Sequence, residues 1–128
     1  MAKLLEEMKI EVDKKVREIK EKAKIEKVES MKDIKEIIEK QFSAEVFSID
    51  FINSNTLGMI CVNNGELTIL LNRNSMYSFD SCYTALYLLG YYIFQERYVY
   101  AYIYDENCDI IGEKELKASY FAEQLIGL

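Results

Sequence analysis

Histidine, proline and tryptophan are absent from this chain, and cysteine occurs only three times. The lack of histidine removes the commonest zinc ligand and the commonest acid/base group near neutral pH together. A His-ligated zinc peptidase is thereby excluded. Serines and cysteines are present, but a nucleophile of either kind needs a neighbouring base, and the sequence offers none that can be identified. Cys61, Cys82 and Cys108 are odd in number, lack short metal-type spacing and lie in or beside apolar stretches, so they read as buried or incidental thiols. A structural disulfide is not expected in a reducing compartment. Long hydrophobic runs are also missing: the nearly uncharged stretch Cys82 to Phe94 has thirteen residues, where a membrane span needs roughly 20. The N-terminus is charged from Lys3 onward with no apolar run behind it, so no signal peptide is expected and the chain reads as cytoplasmic.

What is present is 128 residues, half of them hydrophobic, which is one domain's length with ample material for a core. Charge is divided unevenly. Residues 1–42 carry 12 Lys plus Arg against 11 Asp plus Glu, and residues 43–128 carry 4 against 11, a net −7. A surface of that sign repels phosphate, so direct nucleic-acid binding is not expected.

Met1 to Val28 contains no glycine, and Leu5, Met8, Val12, Val16, Ile19 and Ala23 recur at spacings of three and four. That periodicity predicts one amphipathic helix, with Glu11–Lys15 and Glu18–Lys22 as ion pairs on its solvent side. Its stripe either docks on the rest of the domain or serves a short coiled coil, a route to homo-oligomers. The segment 1–29 is taken as a unit distinct from a domain over 30–128. Ser30 with Asp33 three places later predicts a helix N-cap, and Ile34, Ile37, Ile38 and Phe42 mark the inner side of a helix over roughly 31–41.

Strand signals follow. Glu45 to Ile52 alternates, which puts Phe47, Ile49 and Phe51 on one face; Leu57 to Val62 and Leu67 to Leu71 flank Asn63-Asn64-Gly65, a hairpin turn with glycine where positive φ is needed. An antiparallel sheet of three strands is the economical reading. Ser78 to Gln95 then predicts a buried central helix. Tyr98, Tyr100, Tyr102 and Tyr104 alternate with Val99, Ala101 and Ile103, a period of two that predicts a further strand. Asp105-Glu106-Asn107, followed by Asp109, reads as an acidic loop without the ligand spacing of a calcium site.

Within the central helix, Tyr83-Thr84-Ala85-Leu86-Tyr87-Leu88-Leu89-Gly90-Tyr91 resembles the zinc helix of the ImmA/IrrE metallopeptidase family, and Glu115 to Ile126 is similar to that family's later helix, with Ala118, Phe121 and Ala122 in place. The resemblance runs over about residues 30–126. It implies a zincin-like α+β fold: a small antiparallel sheet, a buried central helix and a C-terminal helix, preceded here by the long N-terminal helix. It also implies that the two metal-binding histidines fall on Tyr87 and Tyr91, the general base on Leu88 and the third ligand on Glu115. Such a site is degenerate, with no metal and no cofactor.

The family's active members are associated with cleavage of helix-turn-helix repressors in phages and integrative elements. A member without the catalytic set is expected to act by binding, as an antirepressor. An inhibitor or partner subunit of a defence or toxin–antitoxin pair stays open beside it, as does a remnant enzyme with an unusual metal or metal-independent hydrolysis. The candidate partner-binding face is Tyr98, Tyr100, Tyr102, Tyr104, Asp105, Glu106 and Asp109, since tyrosine is a frequent interface anchor and acidic residues steer a basic partner. The same tyrosines also read as a core edge.

Overall fold

A computed structural model describes residues 5–76, 80–95, 99–103 and 113–127, with the main chain alone for residue 95, for 99–103 and for 113–115. Its elements are α1 (Glu6–Ala23), α2 (Met31–Phe42), β1 (Glu45–Ile49), β2 (Thr56–Asn63), β3 (Glu66–Asn72), α3 (Ser81–Gln95), β4 (Val99–Ile103) and α4 (Glu113–Ile126). The class is α+β, as the sequence predicts. The sheet is not the expected three antiparallel strands: among the described residues it has four, in the order β1-β3-β2-β4, and β1 joins it parallel to β3. The β2–β3 and β2–β4 pairs are antiparallel.

The turn between β2 and β3 is the predicted one. Asn64 (φ 54°) and Gly65 (φ 80°) are both left-handed, the conformation that matches a two-residue turn to the strand twist. β1 ends at Ile49, short of the expected Ile52, and the face shared by Phe47 and Ile49 is turned outward. Val46 is its buried residue, while Phe47 and Ile49 are 47% and 39% exposed. The cause is the connection from α2, which is only Ser43 and Ala44 long. Ser43 caps the helix in the left-handed region and the Ala44 N–H donates back to Ile38 O at 3.1 Å, so the strand has no slack to rotate.

The register shows how one face of the sheet is filled. Val46 lies opposite Ile69, and Ile69 opposite Ile60; all three are buried, with Leu67 and Leu71 beside them. α3 lies against this face at β2 and β3, α4 packs on α3, α1 packs on α4, and α2 bridges α1, α3 and β1. At Gly58 an added Cβ would lie 2.7 Å from Leu70 O and 2.9 Å from Leu88 Cδ1, so only glycine lets α3 come this close to β2.

α1 starts at Glu6 and ends at Ala23, short of the Val28 expected from periodicity. Lys24 turns left-handed (φ 58°), and the Ile25 N–H closes on Lys20 O at 3.1 Å. This satisfies last-turn carbonyls and redirects the chain. The stripe Val12, Val16 and Ile19 is buried in the same core as the sheet and α3. The expected ion pairs on α1 are not formed: Glu11 reaches across to Lys117 of α4 (3.0 Å), and Glu18 lies 3.9 Å from Lys15. Ser30 has the extended backbone of an N-cap but makes no side-chain cap bond. Asp33 instead accepts from the Glu29 N–H at 2.9 Å. α3 has a cap that periodicity did not reveal, Asp80, whose Oδ1 accepts from the N–H groups of Cys82 and Tyr83.

Candidate functional site

α3 carries the three described positions of the expected degenerate site. Its sequence is apolar nearly all round, which suits a helix enclosed by the sheet on one side and α4 on the other. Leu88 is fully buried and fills the space over Gly58. Tyr87 and Tyr91 are 3% and 2% exposed and one turn apart. Tyr87 also stacks with Tyr83, ring centroids 6.3 Å apart. Burial pushes the Tyr83 phenol above its ordinary pKa; a hydrogen bond to Ser119 works the other way and the nearby Glu123 charge adds to the rise.

The crossing of α3 and α4 is set by small residues. A Cβ at Gly90 would lie 2.7 Å from the Phe121 ring and 3.3 Å from the Ala118 Cα. Phe121, Ala118 and Ala122 are fully buried, and Phe94 meets Phe121 edge to face at 5.7 Å. Glu115 is one turn before Ala118 on α4, so the main chain brings that position toward the crossing. Its carboxylate lies outside the described residues. Whether that carboxylate meets the Tyr87 and Tyr91 phenols, as the resemblance implies, therefore lies outside the described residues as well.

The donor set does not fit a zinc ion. Leu88 has no donor atom, and a tyrosine must shed a proton of ordinary pKa about 10 before it binds a metal as an anion. Among the described residues no three Cys, Asp or Glu side chains converge on a point that could hold a cation. Nor does any buried side-chain nitrogen or oxygen among them lack a hydrogen-bond partner. Cys61 and Cys82 are free thiols, half-buried. Burial, then the charges of Asp80 and Asp33, raise the Cys82 thiol pKa and so suppress its nucleophilic thiolate.

Of the expected partner-binding face, Tyr98, Tyr104, Asp105, Glu106 and Asp109 lie outside the described residues. Tyr100 and Tyr102 are described by main chain alone, at the register positions opposite Ile60 and Gly58.

Three surface features escaped the sequence reading. One is an open groove of about 530 Å³ between α1 and the C-terminal end of α4, with Arg17, Lys20 and Lys24 set among Asp13, Glu21 and Glu26. Its mixed charge selects no ligand class. Another is a run of exposed apolar side chains: Phe47, Ile49, Ile52 (105% exposed) and Met76 (64%). The third is the loop that displays Ile52. Asn72, 1% exposed, accepts from the N–H groups of Phe51 and Asn74 and donates to the carbonyls of Asn53 and Thr56. One saturated amide thus fixes the loop.

No known protein-family model matches the chain, and a comparison with curated proteins found no match either. Among the described residues no helix is long and apolar enough to cross a membrane.

Proposed function

We propose that this protein acts by binding another protein and performs no chemistry at its central helix. The observation that carries the reading is Leu88. The position where a zincin-like helix would hold its general base is occupied by an alkyl side chain that is 0% exposed and wedged over Gly58. Tyr87 and Tyr91 on either side are equally part of the packed interior. Reactants need space and a base next to the reacting atom, and among the described residues nothing around Leu88 supplies either.

A helix-turn-helix repressor is the partner class that the family resemblance favours, and the charge distribution supports it. Residues 43–128 carry a net −7, whereas repressors present Lys and Arg to DNA phosphates. An acidic surface competes for those residues and is steered to them by opposite charge. The chain then works as an antirepressor built on a degenerate zincin-like domain.

The test is titration of the purified chain into helix-turn-helix repressors encoded in the same genome, each bound to its labelled operator, at low and high salt. Release of a repressor without its cleavage, weakening as salt rises, is the expected outcome. Cleavage of the repressor defeats the non-catalytic reading. Failure to bind any of them defeats the choice of partner.

A further inference from the structure

The edge of the sheet at β1 has hydrogen-bonding capacity left over. β1 ends the order β1-β3-β2-β4, so among the described residues a strand lies on one side of it only. On that side the Ile49 carbonyl accepts from the Arg73 N–H at 2.8 Å. Main-chain groups alternate in direction along a strand, so Val46 and Ser48 aim their N–H and C=O groups at the open side. Among the described residues no strand pairs with them. Proteins ordinarily guard such an edge with lysine, proline, an inward charge or a bulge. β1 reads Glu45-Val46-Phe47-Ser48-Ile49 and pairs with β3 in unbroken register, so it has no lysine, proline, inward charge or bulge; its only guards are its five-residue length and the exposed Glu45 at its start. Its two outward apolar side chains, Phe47 and Ile49, are 47% and 39% exposed.

We infer that β1 is a self-association edge: a second copy of this chain adds its own β1 antiparallel across a two-fold axis at Phe47, joining two sheets edge to edge. Phe47 is the middle residue of the strand, so this axis keeps the whole of β1 paired. Val46 then faces the partner's Ser48, and their open main-chain groups form a hydrogen-bonded pair on each side of the axis. Phe47 faces the partner's Phe47 as a non-hydrogen-bonded pair, the arrangement in which cross-strand side chains come closest. Two rings that are half-exposed in the single chain cover each other. Glu45 faces the partner's Ile49, so the two glutamates stand at opposite ends of the junction and do not repel across it. The inference is independent of the partner-binding function proposed above. A short edge buries less than the roughly 800 Å² per partner of a standard interface, so the dimer is weak and depends on concentration.

Sedimentation velocity on the full chain from micromolar to millimolar concentration tests it, beside Ser48→Pro and Phe47→Lys, each checked for folding by circular dichroism. Ser48→Pro deletes an N–H that points away from β3, leaving the internal ladder whole, and removes two bonds per dimer. The expected result is a mass rising above 15.0 kDa toward its double in the parent. Dimerisation should weaken on the order of a hundredfold in Ser48→Pro and be lost in Phe47→Lys, where two like charges meet. If Ser48→Pro fails to fold, Phe47→Lys decides, because its site is exposed in the single chain. A parent that is monomeric throughout overturns the inference and leaves the edge to a strand from a different protein. A dimer unchanged in the variants overturns it as well, and points to the exposed Leu5 and Ile10 of α1 instead.

Discussion

Gly90 sets the distance between α3 and α4, since any Cβ there would press on a fully buried Phe121 ring. Gly90→Ala gains about 1 kcal/mol of helix propensity but overpacks a site whose neighbour has nowhere to go, at a cost of about 1–3 kcal/mol. The net expectation is lower stability and a reduced midpoint in chemical denaturation, even though the same change stabilises an exposed helix. Tyr120 makes a second residue-scale case. Its hydroxyl donates to Asp13 Oδ1 at 2.8 Å. Burial, that bond and the charges of Asp13, Glu6 and Glu123 push its pKa up to about 12. A pKa raised on folding means stability that is fully present below the unfolded value of about 10 and is lost as pH rises through the folded one. Tyr120→Phe should cost about 1–2 kcal/mol at neutral pH, the worth of a hydrogen bond to a charged acceptor. Denaturation curves of the two proteins should then converge between pH 10 and about 12.

At the scale of elements, α1 is where periodicity was most informative and segmentation least so. The stripe Val12, Val16 and Ile19 is buried, as a helix-docking reading requires. It is buried in the core that also holds Ile34, Ile69 and Phe121, and Tyr120, Lys117 and Gln41 tie α1 to α4 and α2. Each buried aliphatic side chain contributes about 1.5–3 kcal/mol, so removal of residues 1–24 forfeits at least about 5 kcal/mol, a large share of a small domain's total. The truncated chain should show no cooperative thermal transition, or one at a much lower temperature. A binding assay on that truncation would therefore report loss of the fold. β1 teaches the reverse lesson. Its alternation marked a strand with Phe47 and Ile49 on one face, but alternation alone does not say which face meets the core. The short tether through Ser43 and Ala44 decides that.

For the whole molecule, a single continuous core predicts a single unfolding transition. Tyrosine fluorescence, the one intrinsic signal in a chain without tryptophan, reports chiefly on α3 and β4, while far-ultraviolet circular dichroism reports on every helix. The two curves should coincide, and two separate midpoints would show that α1 melts apart from the rest. The sequence by itself determined α1, α2, the Asn64-Gly65 turn and the central apolar helix, because these depend on local periodicity and on turn chemistry. Tertiary structure alone decided that β1 runs parallel to β3, that Phe47 and Ile49 face out, that Glu11 bonds Lys117 across two helices, and that Asn72 gathers the loop carrying Ile52. Each of these joins residues far apart in the chain or follows from the length of a connection. Neither leaves a mark on local hydrophobic period, so packing fixes them only once all the elements are together.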